Sequence, residues 1–200
     1  KNVKKYANLG LFSITFSKSL NHDLEMLNSY RDFREEAEKN NFNYFLEVFN
    51  PQTKTGLNQL QLGEYVNDCI LKTLAGQLKS ERPLFLKIAY NGPKAMEELA
   101  GYDPKNLIVG ILGGGKGTTR DCFELISKSC KYGAKVALFG RKINLAEDQQ
   151  LIVKTMRDVV NGMTSTEGVK FYHDQLKKKK IKPDRSLDKD LMITEKVLKL

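Results

Sequence analysis

Five short hydrophobic runs alternate with segments of helical spacing, and this alternation is the feature that most constrains the fold of the chain. Turn-forming residues separate the segments, as at Asn50-Pro51 and at Gly133. Parallel strands are joined by crossovers, and helices must then cover the sheet, so the alternation predicts an α/β fold with a parallel sheet. The predicted strands are 9–16, 42–49, 84–90, 107–112 and 135–139, and the predicted helices are 22–39, 63–78, 93–99, 118–132, 144–160 and 165–178. Thr118 with Asp121, and Asn144 with Glu147, resemble helix caps and predict where two of these helices begin.

Two of these strands carry a charged residue in their middle, Glu47 in the second and Lys87 in the third. Burying a charge is costly unless the group is paired, neutralised or used in chemistry. In both strands the charged residue shares its face with a phenylalanine, and the other face holds aliphatic residues. This pattern favours the lumen of a (β/α)8 TIM barrel over an open doubly wound sheet, whose central strands need two apolar faces.

Three strings at the ends of the later strands carry a resemblance to a known family: residues 86–92 (LKIAYNG), 113–116 (GGGK) and 139–142 (FGRK). The chain resembles the C-terminal half of the class I aldolase barrels, which include archaeal-type fructose-bisphosphate, tagatose-bisphosphate and deoxyribose-phosphate aldolases. The resemblance implies that residues 1–163 form a partial (β/α)8 barrel containing strands four to eight. Residues 164–200 would then form a C-terminal helix and a basic tail.

In that family the lysine of the sixth strand forms a Schiff base with the substrate carbonyl, and the resemblance assigns this role to Lys87. A lysine between apolar neighbours is poorly solvated, and desolvation favours the neutral amine that attacks a carbonyl. Glu47, expected on the neighbouring strand and the same face, would carry protons while the imine forms. The alternative is a structural ion pair in the lumen, and the sequence leaves both interpretations open.

Glycine-rich loops follow the last two strands, with Gly113, Gly114 and Gly115 in the first loop and Gly140 and Arg141 in the second. The resemblance implies that both loops bind the phosphate of the substrate. Backbone N–H groups ahead of a helix, together with an arginine fork, suit an anion of this kind. A flexible turn is the alternative, because glycine also supplies conformational freedom.

Residues 110–117 (GILGGGKG) also approach the P-loop pattern of nucleoside triphosphatases, G-x-x-x-x-G-K-[ST]. Gly117 stands where the pattern requires a Mg²⁺-binding hydroxyl, and Thr118 comes one residue late. The dinucleotide pattern G-x-G-x-x-G is not matched either. The two histidines, His22 and His173, lie far apart, which disfavours a zinc site. We therefore expect neither a metal nor a cofactor.

The formal net charge of +9 is concentrated near the C-terminus, where residues 170–200 hold ten basic and five acidic residues. The run Lys177–Lys180 has no interleaved aromatic residues to stack bases, so a solvated helix end is favoured over a nucleic-acid site. No apolar run approaches the length of a membrane span, and no signal peptide is apparent. Three widely spaced cysteines, expected to be buried, indicate a reducing compartment, so we expect a cytoplasmic protein.

These observations rank three functions. The first is a Schiff-base aldolase, a lyase of carbohydrate metabolism that cleaves or forms a C–C bond in a phosphorylated sugar. The second is a phosphosugar-binding or regulatory barrel without catalysis, and the third is a nucleic-acid-associated protein that uses the basic tail. The expected partner is a phosphorylated small molecule, with a homo-oligomer left open and no membrane partner.

Overall fold

The computed structural model describes residues 7–200, and the first six residues of the predicted barrel segment lie outside the described part. Its centre is a five-stranded sheet in which every neighbouring pair is parallel and the spatial order follows the chain, β1-β2-β3-β4-β5. The strands are β1 Leu9–Thr15, β2 Asn43–Phe49, β3 Leu86–Ile88, β4 Val109–Leu112 and β5 Val136–Leu138. The prediction of an α/β fold with a parallel sheet is confirmed.

Strand order also distinguishes the two closures considered from the sequence. Crossovers between parallel strands are right-handed, so strands added in one direction place all their helices on one face. A doubly wound sheet must instead reverse its strand order. The sheet therefore has the topology of a partial barrel, with an inner face and an outer face.

Eight α-helices and one 3-10 helix connect and follow the strands in the described part. The first three lie close to their predicted positions, and α7 matches its prediction of 165–178. The helices are α1 Leu20–Lys39, α2 Gln59–Leu74, α3 Pro93–Tyr102, α4 Thr119–Lys131, α5 Arg141–Asn144, α6 Gln149–Val160, α7 Ser165–Lys178 and α8 Leu187–Asp190, and the 3-10 helix is Lys196–Lys199.

Helix caps explain where prediction and structure differ. α2 begins four residues early because Asn58 and Gln61 form a capping box, a signal that the sequence analysis did not use. α4 begins after the predicted Thr118–Asp121 box, which is confirmed. The predicted single helix over 144–160 is wrong in its first part. Asp148, whose side chain accepts the N–H of Leu151, caps α6, and the preceding residues form the separate helix α5.

The outer face of the sheet contributes to the main core. Aliphatic residues of four strands are almost fully buried there, packed against α1, α2, α3 and α4. The inner face differs, because Leu9 and Leu11 at the β1 edge are 45% and 46% exposed. The buried strand residues of the main core are Ile14, Leu46, Val48, Leu86, Ile88, Val109 and Ile111.

The C-terminal residues are attached to this framework by a second core. α7 packs on α4 and α6, with Phe123, Met156 and Tyr172 buried between them. The chain then returns to the main core, where Leu198 is only 1% exposed. The last thirty residues therefore include packed structure as well as exposed basic residues.

The cysteines and the lysine run follow their predictions in part. Cys122 is buried, and burial raises the pKa of its thiol to about 12, whereas Cys69 is partly buried. Cys130 is exposed, so the expectation of three buried cysteines is wrong for that residue. All four lysines of the run Lys177–Lys180 are exposed; the first two end α7, and the Nζ of Lys179, the C-cap, lies 2.6 Å from a carboxylate oxygen of Asp148. No helix in residues 7–200 has the length and apolar character needed to cross a membrane.

Candidate active site

A row of aligned residues crosses the inner face of the sheet. Strand register pairs Ser13 with Glu47, Glu47 with Lys87, and Lys87 with Gly110. Side chains at paired positions of parallel strands project on the same side of the sheet. The two charged residues singled out in the sequence are therefore neighbours, 40 positions apart along the chain and adjacent in space.

The Nζ of Lys87 lies 2.7 Å from Oε1 of Glu47, and the Oγ of Ser13 donates a hydrogen bond of 3.1 Å to Oε2. The Glu47 side chain is 7% exposed and that of Lys87 is 22% exposed, so the amine is the more accessible member. At this distance a carboxylate can take a proton from the ammonium or return it. The geometry is equally that of a structural ion pair, and the roles of both residues remain predictions.

Gly110 occupies the row position beside Lys87. A Cβ at this glycine would lie 2.8 Å from the carbonyl oxygen of Leu86 and 3.1 Å from Cδ1 of Leu138. The position cannot take a larger residue without a local shift, because Leu86 and the side chain of Leu138 already occupy the space beside it. In the sequence, Gly110 stands out only as the first residue of the P-loop-like string, and nothing there indicates its position beside Lys87.

Two aromatic rings lie on the same face, two residues before each charged residue. Phe45 and Phe85 stack with ring centroids 4.7 Å apart and an interplanar angle of 14°. Stacked rings at this distance form a favourable apolar contact. They border the ion pair on the side of the strand amino termini, opposite the glycine loops.

The glycine loops after β4 and β5 lie against each other. A Cβ at Gly113 would be 2.9 Å from the ring of Phe139, so the first loop contacts the residue that precedes Gly140. Gly114 has a φ of 65°, a conformation that favours glycine, and Gly115 is exposed. Since a strand rises about 3.3 Å per residue, Gly113 lies roughly 10 Å further along the sheet than Gly110, the partner of Lys87.

Gly140 and Arg141 are both exposed in the second loop, and Arg141 opens the four-residue helix α5. Within residues 7–200, no carboxylate forms an ion pair with Arg141. The structure thus brings the two predicted anion-binding loops together. Their binding of phosphate remains a prediction.

Lys142, the next residue, was missed by the sequence analysis. Its side chain is completely buried, and its Nζ lies 3.1 Å from Oε1 of Glu195 and 3.4 Å from the carbonyl oxygen of Lys116. In the sequence it is only the last residue of the string FGRK, and nothing there indicates that its side chain is buried. Its partner lies 53 positions away in a segment with no clear periodicity.

The competing P-loop interpretation meets a geometric obstacle. Gly110 lies inside β4, and the Thr118 hydroxyl donates a 2.7 Å hydrogen bond to the carbonyl of Met192 while accepting the N–H of Asp121. The Thr118 hydroxyl therefore already forms two hydrogen bonds within the protein and does not take the role of a Mg²⁺ ligand. In the described part of the chain, no three residues of the metal-binding types His, Cys, Asp and Glu are grouped around one point.

Neither a protein-family model nor a curated protein matches the chain. Among solved structures, it is similar to the crystal structure of an archaeal fructose 1,6-bisphosphate aldolase, with a TM-score of 0.61 and 20% sequence identity. The chain therefore has the fold of a partial (β/α)8 barrel. The match covers 80% of this chain and 61% of the aldolase, so the chain spans less than two thirds of that protein's length. The numbering of its strands as four to eight stays a prediction.

Proposed function

We propose that this chain contains the Schiff-base half of an aldolase that acts on a phosphorylated sugar, with Lys87 as the nucleophile. The observation that carries the proposal is the Lys87–Glu47 pair at 2.7 Å on the inner face of an aldolase-type partial barrel. A lysine amine needs a nearby group that accepts and returns protons, and Glu47 is in direct contact with it. Ser13 holds the second oxygen of the carboxylate.

The chemistry starts when Glu47 accepts a proton from the Lys87 ammonium. The neutral amine adds to the substrate carbonyl and forms a carbinolamine, which Glu47 protonates on oxygen so that water leaves. The resulting iminium draws the electron pair of the adjacent C–C bond into an enamine, while a base removes the proton of the hydroxyl on the departing carbon. Protonation of the enamine and addition of water then release the second product and restore Lys87.

The phosphate of the substrate would bind where the glycine loops after β4 and β5 meet. Backbone N–H groups of Gly113, Gly114 and Gly115 supply donors without a charged side chain. Because Gly140 has no side chain, the second loop can approach the phosphate closely. The guanidinium group of Arg141 can then donate two hydrogen bonds to the phosphate oxygens. These residues lie towards the carboxyl ends of the strands, the end at which TIM barrels bind substrates and phosphate.

A second candidate, a phosphosugar-binding module without catalysis, is favoured by one observation. The chain spans 61% of the similar aldolase, so a group required for C–C cleavage can belong to the part that this chain does not match. Such a module would bind the phosphate without a covalent intermediate. Trapping of the intermediate distinguishes the two candidates.

The test is borohydride trapping with dihydroxyacetone phosphate and with fructose bisphosphate, followed by peptide mass spectrometry. We expect a reduced adduct on the peptide containing Lys87. The matched variant Lys87→Arg keeps the charge beside Glu47 but lacks an amine that condenses with a carbonyl, so it should remain folded and form no adduct. A wild-type chain that binds the phosphosugar without forming an adduct contradicts the aldolase and leaves the binding module.

A further inference from the structure

The segment after α7 runs back across the start of α4 and is here named the strap, residues 184–198. Asp184 forms an ion pair with Lys116 of the β4–α4 loop. A carboxylate oxygen of Asp190 accepts the backbone N–H of Thr119, the first residue of α4, at 2.8 Å. Leu198 is buried in the main core. The strap is therefore fastened at its beginning, middle and end.

Asp121 joins the cap of α4 to the strap. Its carboxylate accepts the backbone N–H groups of Thr194 and Glu195 at 2.8 and 3.2 Å and the Thr194 hydroxyl at 2.5 Å. It also accepts the N–H of Thr118, the residue that caps the helix. Burial by itself raises the pKa of Asp121, but these hydrogen bonds outweigh it and hold the pKa below the ordinary aspartate value.

Lys142 joins the strap to both glycine loops. It follows Gly140 and Arg141 directly, its ammonium contacts Glu195 of the strap, and it also reaches the carbonyl of Lys116, one residue after Gly115. The side chain is fully buried, so without Glu195 its charge would keep only the 3.4 Å contact with the carbonyl oxygen of Lys116. The ammonium group of Lys142 thus links three segments: the strap, the β4–α4 loop, and the segment after β5 to which Lys142 itself belongs.

We propose that the strap, through the Lys142–Glu195 pair, positions the two glycine loops for a phosphate monoester. The inference rests on the proposed function, because the loops are its phosphate site. Donors from two loops bind one phosphate well only when their relative position is fixed, and a misplacement of 1 Å is enough to weaken a site. Lys142 and Glu195 are positioning residues, since neither belongs to the proposed set of phosphate contacts.

The test compares two ketones that differ only in the phosphate group. Half-saturating concentrations for borohydride trapping on Lys87 are measured with dihydroxyacetone phosphate and with dihydroxyacetone, in wild type, Lys142→Met and Glu195→Gln. We expect the value for the phosphorylated ketone to rise about tenfold in both variants, the effect of losing one charge-assisted hydrogen bond. The value for dihydroxyacetone should stay within about twofold, because strand register holds Lys87. The control is Lys196→Met, an exposed lysine of the strap, which should change neither value.

Calorimetry with inorganic phosphate and hydrogen exchange give readouts that do not depend on imine formation. Phosphate affinity should fall in both variants, and amide exchange should accelerate together in residues 113–118 and 139–145. If the half-saturating concentrations rise equally for both ketones, the strap is a general stabiliser of the fold and the proposal is overturned. Half-saturating concentrations that do not change in either variant would also overturn it. If wild type traps neither ketone, the Schiff-base function fails, and phosphate affinity alone decides the proposal. A wild-type chain that binds no phosphate overturns it.

Discussion

The polar residues of β2 and β3 and those at the starts of α4 and α5 are held in place by different parts of the molecule. Glu47 and Lys87 meet because neighbouring strands are in register, and each lies between buried aliphatic residues of its own strand. Asp121 and Lys142 are held by the strap, from partners 73 and 53 positions away. The first arrangement is as stable as the sheet, whereas the second depends on whether the strap stays docked.

This difference matters for the proposed chemistry. Imine formation needs a lysine and a proton carrier at one fixed distance, which a sheet supplies with little freedom. Phosphate binding uses loops, whose conformation requires support from elsewhere. The strap and the sheet register should therefore respond separately to mutation.

The largest expected effect comes from undocking the strap at its buried end. Leu198→Ala removes a side chain that is 1% exposed, and we expect a loss of about 3 kcal/mol in the free energy of unfolding. Leu200→Ala, at a position 60% exposed, should change it by less than about 0.5 kcal/mol. Urea unfolding followed by circular dichroism measures both. A cost below about 1 kcal/mol for Leu198→Ala would show that the strap contributes little to the main core.

A smaller effect, with a pH dependence, is expected at Asp121. Its pKa is lowered in the folded state, so its stabilising contribution is present above the ordinary aspartate pKa and is lost as the pH falls through the folded value. Asp121→Asn should cost about 2 kcal/mol near neutral pH, because three strap donors lose a charged acceptor. Urea unfolding of wild type and variant from pH 7 to pH 2.5 measures the difference.

That difference should be constant above about pH 5 and should shrink below the ordinary aspartate pKa near 3.8. Other acidic residues titrate in both proteins, so the comparison isolates the carboxylate of Asp121. If the difference in unfolding free energy between wild type and Asp121→Asn is unchanged at the lowest pH, the negative charge of Asp121 is not what holds the strap to α4, and packing and uncharged hydrogen bonds hold it.

The sequence was most informative where short-range patterns decide structure. The two-residue alternation around Glu47 and Lys87 predicted which face each side chain occupies, since flanking residues such as Leu46 and Ile88 had to be buried. The box formed by Thr118 and Asp121 predicted the start of α4 in the same way. Both signals involve neighbours within a few positions.

The strap could not be predicted from such patterns. Asp190 and Glu195 resemble ordinary charged residues of a basic tail, and their partners Thr119 and Lys142 lie 71 and 53 positions away in the sequence. The false cap at Asn144 has a related cause. Residues Arg141–Asn144 form a helix of their own, and Asp148 begins the next one, so the spacing of Asn144 and Glu147 carried no information about α6.

The smallest expected effect tests whether register alone holds the ion pair. Ser13→Ala removes one hydrogen bond to Glu47 but leaves Lys87 at 2.7 Å from the other carboxylate oxygen. Because Ser13 is exposed and water can replace its hydroxyl, we expect a loss of only about 0.5 to 1 kcal/mol in unfolding free energy. The rate of borohydride trapping should change less than about twofold, as in the control Thr15→Ala on the same face of β1. A larger loss of trapping confined to Ser13→Ala would mean that the orientation of Glu47, and not strand register alone, prepares Lys87 for attack.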